Sequence, residues 1–403
     1  VIKLSQSVIQ GFPNVDGFAN FDSLTNKYGI IAMKLSIERE ALLRSLSHVQ
    51  SVVERRNTIP ILSNVRMTAS EGSLALTTTD MDLEINESVA ATVSEEGGTT
   101  VPAHTLHDIV RKLPNDSTVE LVVNAEGTQM TVKAGRSQFK LSCLSAGDFP
   151  EIGASDMPIS LSLPAGSLRD LIDRTRFAMS TEETRYYLNG IYLHASEKDG
   201  VAVLRAVATD GHRLALFDMP LPSGAEGLEG VIVPRKCIGE LRKLIDEAAD
   251  TIQIDLSETK VRFSFDHVVL TSKLIDGTFP DYQRVIPEGN DKIVEVDPKV
   301  FSSAIDRVST ISDGKSRAVK IALNGKVMTL SASSAEAGSA TEEVEINGET
   351  DIEIGFNAKY LLDITSQISG EGCRLTLANP AAPTIIQDNG DPSSLYVLMP
   401  LRV

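Results

Sequence analysis

An acid and an imidazole stand two residues apart in the stretch ATDGHRLAL, Ala208–Leu216. Asp210 and His212 are residue types that general acid–base chemistry uses, the carboxylate orienting a ring that moves a proton. Side chains two apart on a strand share a face, but the Asp210-Gly211 pair between the flanking apolar residues reads as a hairpin turn, which breaks that geometry. No nucleophile, metal or phosphate-binding motif accompanies the pair: the sequence lacks G-x-S-x-G, H-E-x-x-H and a P-loop. Cys143, Cys237 and Cys373 lie far apart and match no metal or redox spacing. An odd, sparse count suits a reducing compartment and thiols that are buried or half-buried. No catalytic residue, metal ligand or cofactor is expected.

With 403 residues the chain has room for two to four domains. Its 42% apolar and 23% charged residues are those of an ordinary globular protein, and no apolar run is long enough to span a bilayer. A net charge of −17 argues against a wholly basic nucleic-acid coat but leaves room for a local basic stripe. There is no Trp, and the few aromatic residues argue against an extended base-stacking platform. Residues 1–32 show neither a sustained period nor the basic start and apolar run of a signal peptide, and are read as an extension that need not be native.

The elements that would position any site repeat along the chain. MKLSIEREALLRSLSHVQSVV from Met33, ISLSLPAGSLRDLIDRTRFAMS from Ile159 and KIVEVDPKVFSSAIDRVSTIS from Lys292 each read as a strand running directly into a helix. Each segment repeats the theme internally, in TTVPAHTLHDIVRKLP, GVIVPRKCIGELRKLID and DIEIGFNAKYLLDITSQI. Alternating strand-rich stretches come next, with turns at Glu126-Gly127 and Ser257–Thr259. The unit is strand, helix and several antiparallel strands, used six times. This is an α+β chain with an extension at 1–32 and three domains at 33–152, 159–285 and 291–403. GDFPEI at Gly147 and GTFPDY at Gly277 read as strand ends leading to linkers. LALTTTDMDLEI at Leu74 occupies the place in the first domain that LRAVATDGHRLALF at Leu204 occupies in the second.

The six expected helices span 38–56, 104–113, 165–180, 235–249, 298–312 and 358–368. They hold 16 Lys and Arg against 11 Asp and Glu, so the acid is concentrated in strands and loops. A basic bias shared by repeated helices points to one surface with one task, and phosphate contact is the natural candidate.

From Met33 to Val403 the chain resembles the bacterial sliding clamps, the beta subunits of DNA polymerase III. The resemblance is carried by RYYLNGIYL at Arg185, ATDGHRLAL at Ala208, VIVPRK at Val231, TSKLIDGTFPDYQRVIP at Thr271, IEIGFNAKYLLD at Ile352 and YVLMPLRV at Tyr396. It implies a non-catalytic, cytoplasmic processivity factor: a head-to-tail homodimeric ring around double-stranded DNA, with helices lining the hole and sheets outside. Its implied partners are the polymerase III catalytic subunit, the clamp loader, and other polymerases and repair proteins that carry short clamp-binding peptides. No membrane partner is implied.

Residue by residue, the resemblance carries DNA contact to Arg56, Arg185, Tyr186, Tyr187, Arg235 and Lys236. Strand alternation would bury one of the two tyrosines and expose the other. Glu182 stands where the family often has Gln, and an acid there repels phosphate. The peptide pocket maps to Leu188, Thr209, Gly211, His212, Arg213 and Leu214. It continues with Pro280, Arg284, Val285, Asn357 and Tyr360, and ends with Val397, Leu398, Met399, Pro400 and Arg402. Ser316 replaces an aromatic residue, and Ala381 with Pro383 replaces a Val and Ser pattern. Phe139 and Leu141 would meet Thr310 and Ile311 at the subunit contact. The competing expectation is a repeat scaffold that binds only proteins and does not encircle DNA.

Overall fold

The structure is a computed structural model that describes residues 32–153, 156–248, 250–312 and 317–402. The extension at 1–32 lies almost wholly outside the described residues, as do Ser316 and Val403. The described residues up to Gly153, with His267–Leu270, form one compact unit, and the remainder form a second.

The first unit opens with β1 (Lys34–Glu38) and α1 (Arg39–Val49), followed by β2 (Asn64–Ser70), β3 (Ser73–Thr79), β4 (Leu83–Ala90), β5 (Thr92–Glu95) and β6 (Gly97–Pro102). Its second half is α2 (Ala103–Lys112), β7 (Thr118–Val123), β8 (Gln129–Ala134) and β9 (Ser137–Ser142). One antiparallel sheet runs β5-β1-β7-β8-β9, and β4, β3, β2 and β6 pair in that order in another. Strand and helix succeed one another directly, as the repeat requires.

In the second unit the order is β10 (Ile159–Pro164), α3 (Ala165–Asp173), β11 (Gly190–Lys198), β12 (Val201–Thr209), β13 (Arg213–Pro220), β14 (Val231–Pro234) and α4 (Arg235–Ile245). Next come β15 (Thr251–Leu256) and β16 (Lys260–Phe265), then β17 (Val268–Lys273), whose residues up to Leu270 count with the first unit, and then β18 (Lys292–Val296) and α5 (Pro298–Ser309). The chain ends with β19 (Ala318–Asn324), β20 (Val327–Ser334), β21 (Gly338–Glu345), β22 (Ile352–Asn357), α6 (Ala358–Thr365), β23 (Cys373–Leu377), β24 (Thr384–Asp388) and β25 (Asp391–Leu398). An eight-stranded sheet runs β14-β11-β12-β13-β25-β24-β23-β18, and a four-stranded one runs β21-β20-β19-β22.

Proline marks the strand-to-helix switch three times. Pro102, Pro164 and Pro234 close their strands at φ −56°, −57° and −62°, and the next residue starts a helix. A ring that lacks an N–H ends the ladder, and its fixed φ feeds the first helical turn. Two other helices are capped by side chains: Asp297 accepts from the amides of Lys299 and Val300, and Asn357 from those of Lys359 and Tyr360. The helices pack in pairs, α1 on α2, α3 on α4 and α5 on α6. Arg39 tightens the first pair by donating to the carbonyls of Val110 and Arg111 at the end of α2.

Five of the six helices are shorter than their apolar period suggests, and α2 alone keeps its expected length, shifted by one residue. After α1 the amides of Ser51, Val52 and Val53 bond three residues back, so the chain tightens into turns while Val52 and Val53 stay buried. Apolar spacing survived there although the α-helix did not. The two Gly-x-Phe-Pro stretches also differ from expectation. β9 and β17 end several residues before them, and Phe149 and Phe279 are buried anchors instead of strand ends. Cys237 and Cys373 are buried and Cys143 is half-buried, as expected.

Phe356 on β22 is fully buried. Phe356→Ala is expected to destabilise the protein by about 3–5 kcal/mol through lost burial and an uncollapsed cavity. Lys299→Ala, on an exposed helix position, should stay within about 0.5 kcal/mol. Denaturant titration of both variants checks the contrast.

Candidate functional site

The stretch 208–216 is a hairpin turn joining β12 to β13, with Thr209 paired to Leu214. Thr209 Oγ1 accepts from the Gly211 amide at 3.1 Å and donates to the Arg213 carbonyl at 2.7 Å. Asp210 Oδ1 accepts from the amides of His212 (2.9 Å) and Arg213 (3.0 Å). The first unit builds the same turn: Thr79 Oγ1 serves Met81 and Leu83, and Asp80 Oδ1 serves Asp82 and Leu83. The carboxylate of Asp210 is committed to backbone and to Arg213, while the His212 ring stacks at 6.2 Å on Tyr360. No acid–imidazole dyad forms. A second acid–imidazole–hydroxyl group, Ser45–Glu87–His48, places the carboxylate in the middle, bonded to Ser45 at 2.7 Å and to His48 at 2.8 Å. That order cross-links α1 to β4 and puts the carboxylate between the serine and the imidazole.

Arg213 departs from the expectation of a peptide-facing side chain. It is 7% exposed, paired with Asp363 of α6 at 2.5 Å and with Asp210 at 3.2 Å, and it donates to the Phe177 carbonyl at 2.5 Å. Its guanidinium lies 4.3 Å from the centre of the Tyr360 ring and 5.2 Å from that of Phe177. The cause is that β13 is covered on both faces, every residue from Arg213 to Asp218 being buried, so its first side chain must find partners inside.

An apolar cluster lies beside this turn. Leu188, Leu214 and Val397, three expected pocket residues, pack with Val207, Leu216, Ile232, Phe279 and Tyr282. At the exposed edge stand Pro280, Val285, Met399 and Arg284, the last paired with Asp281. Leu398 is buried, Thr209, Pro400 and Tyr360 are half-buried, and Gly211 and Arg402 are exposed. Asn357 is half-buried, its carboxamide spent capping α6. The Met399 amide donates to the His212 carbonyl at 2.9 Å, so the chain end is fastened to the turn.

Sequence reasoning missed the support beneath this cluster. Tyr192 stacks flat on Phe279 at 4.8 Å, and His194 Nε2 lies 3.0 Å from the Tyr282 hydroxyl. Arg205 grips Asp218 with two hydrogen bonds, 2.6 and 2.9 Å. GTFPDY carried the signal but read as a linker, because nothing local shows that Phe279 and Tyr282 are covered. Burial pushes the His194 imidazole below its ordinary 6.5.

Apart from Arg56, the basic candidates gather around one loop. Arg185, Tyr186 and Tyr187 lie in the Glu183–Leu188 segment, two 3₁₀ turns with a kink at Arg185, and not on a strand. Tyr186 is 53% exposed while Tyr187 packs on the apolar cluster, so the two divide as expected although a turn, not strand alternation, divides them. Arg235 and Lys236, both exposed, open α4, and Arg235 donates to the Ser180 carbonyl of the same loop. Cations at the positive end of a helix dipole are unfavourable unless an anion is near. Arg56 is exposed in the first unit. Phe139, 38% exposed, and buried Leu141 lie on β9, an end strand of its sheet. Thr310 is exposed and Ile311 half-buried after α5. Ala381 and Pro383 fall in the β23–β24 loop, where the Pro383 carbonyl accepts from Asn290.

The described residues thus form repeated strand–helix units with helices in pairs, and the second unit holds an apolar cluster beside the 208–216 turn. Models of the N-terminal, central and C-terminal domains of the DNA polymerase III beta subunit match residues 33–153, 162–281 and 283–402. The chain belongs to that family, the beta sliding clamps, which are the non-catalytic processivity subunits of the polymerase. It is 52% identical to the beta sliding clamp of Caulobacter vibrioides and 36% identical to that of Escherichia coli, each match covering 92% of this chain and 100% of the relative. Among solved structures, a sliding clamp from Bartonella birtlesii bound to griselimycin superposes with a TM-score of 0.89 at 50% identity. A Caulobacter crescentus clamp gives 0.87 at 51%, and both cover 92% of this chain and 100% of theirs. Among the described residues no helix is long and apolar enough to cross a membrane.

Arg213→Ala is expected to destabilise the protein by about 3 kcal/mol, the low end for a broken buried pair because Asp363 is 30% exposed. Thermal and denaturant unfolding measure it. A folded-state imidazole below its unfolded value binds fewer protons than the unfolded chain. His194 therefore contributes stability above about pH 6.5 that is lost as the pH falls through and below that value. His194→Asn should flatten this fall when unfolding is compared at several pH values.

Proposed function

We propose that two of these chains close head to tail into a ring around duplex DNA, without sequence preference. The ring would tether the replicative polymerase, the clamp loader and other replication and repair proteins through short peptides. The charge partition carries this reading: among the described residues the six helices hold 12 Lys and Arg against 7 Asp and Glu, in a chain of net −17. A basic lining on an acidic body attracts phosphate where helices face DNA and repels it elsewhere. Phosphate contacts position without reading bases, so such a ring can slide. Arg56, Arg185, Tyr186, Tyr187, Arg235 and Lys236 are the proposed contacts.

The apolar cluster with exposed Val285 and Met399 at its edge suits a peptide that inserts apolar anchors. Tethering a partner there turns repeated rebinding into a local event at high effective concentration. Ring closure would bring Phe139 and Leu141 of one copy to Thr310 and Ile311 of the next. β9 and β21 are both end strands of their sheets, with Lys140 on one and Glu342, Glu343 and Glu345 on the other. Strand edges of opposite charge favour closure and make it sensitive to salt. The cytoplasm, where the bacterial chromosome is copied, is the compartment this reading requires.

Light scattering should give twice the chain mass of 43.4 kDa, and a strict monomer at micromolar concentration would contradict the ring. Protein loaded on nicked circular DNA should persist and then run off after linearisation, whereas equal retention on both would refute encirclement. Removing residues 399–403 should abolish polymerase stimulation and leave the dimer mass unchanged.

A further inference from the structure

Glu182 holds Arg185 in the geometry a phosphate would use. Arg185 Nε donates to Glu182 Oε2 at 2.7 Å, and Nη2 lies 2.7 Å from Oε1, a two-point fork. The guanidinium fork fits carboxylate and phosphate alike, so either anion fills the same two donors. The carboxylate is presented from a fixed backbone. The Glu182 amide donates to Ser180 Oγ, and the Glu182 carbonyl accepts from Asn189 Nδ2 and the Arg185 amide. Ser180 in turn receives Arg235 at its carbonyl, so the pair sits inside the loop that gathers the basic candidates. The Arg185 hydrogen bond holds the Glu182 carboxyl below its ordinary range.

The Asp210-Gly211 turn lies against this arginine. A Cβ at Gly211 would stand 2.6 Å from Arg185 Nη1. The turn alone does not demand glycine, because its first-unit counterpart carries Met81 at φ +78°, close to the +86° of Gly211. Glycine at 211 therefore leaves room for the guanidinium, which lies between the Glu182 carboxylate and the turn. Both partners keep solvent access, 33% for Arg185 and 52% for Glu182, so an incoming anion can reach the fork.

We propose that Glu182 is an internal competitor for DNA phosphate: it fills the Arg185 fork in the free protein and must be displaced when duplex DNA engages this loop. The inference rests on the proposed DNA-facing role of Arg185. An exposed pair of this kind is weak enough to exchange, and its effect is to reduce grip without abolishing it.

The test is equilibrium binding of the intact protein to a short duplex across a salt series. Glu182→Gln should bind about two- to fivefold more tightly, the range an exposed ion pair supplies. Its log–log salt slope should steepen by up to about 0.9, one further phosphate contact. In an Arg185→Ala background, Glu182→Gln should have no effect. Unchanged binding by Glu182→Gln, or a gain that persists in full without Arg185, would overturn the competition. The circle-against-linear comparison on unaltered protein separates the two levels. Equal retention there removes the DNA reading and this inference with it, whereas run-off with an inert Glu182→Gln removes the competition alone.

Discussion

The pairing of β13 with β25 is the constraint on which the rest of the second unit depends. Leu214 faces Val397 and Arg213 faces Leu398 across this ladder, which joins strands from two successive repeats into one sheet. β13 is paired along both edges and buried on both faces from Arg213 to Asp218, and its two ionisable residues are buried with their partners. Arg213 is held by Asp210, Asp363 and a carbonyl, and Asp218 by Arg205 and Lys198. Near the start of β25, Arg174 bonds Ser394 and Asp391. Buried charges so paired are costly to break singly, which makes the register between the repeats specific. The apolar cluster, the fastened chain end and the stacked His212 all depend on that register.

The repeat also shows how one local device serves two ends. Thr79-Asp80 and Thr209-Asp210 close their hairpins with the same hydroxyl and carboxylate hydrogen bonds. The next two residues differ, Met81 and Asp82 in the first turn against Gly211 and His212 in the second. The turn conformation is common property, and the substituted residues decide what packs against it. Arg185 has its space only in the second. The residue types that suggested acid–base chemistry are accounted for in the same way, since every oxygen of Asp210 that could orient an imidazole is already bonded elsewhere.

The helix pairs link charge to architecture. Each helix buries one apolar face against its partner and the neighbouring strands, and its Lys and Arg occupy what remains. Burial fixes which face turns inward, so the excess of basic residues is left on the uncovered side.

Local physics made much of this protein legible from its amino-acid order. Strand-to-helix switches at proline, apolar periods, turns at Asp210-Gly211 and Glu126-Gly127, and the threefold repetition need only neighbours in the chain, so the sequence determined them. Tertiary structure decided the rest, because it depended on coverage by distant residues. The apolar period ran through Val53 after the α-helix had ended at Val49, since burial rewards position whatever the hydrogen-bond pattern. Phe279 and Tyr282 looked like linker until Tyr192 and His194 were placed against them. Arg213 maps to the peptide pocket by resemblance, whereas the fold brings Asp363, 150 residues away, within 2.5 Å of it. Glu182 looked like a misplaced acid, and only the 3₁₀ segment that sets Arg185 beside it showed which charge it meets. A single chain specifies its own turns, but which charges meet is fixed only when separate strands close on one core.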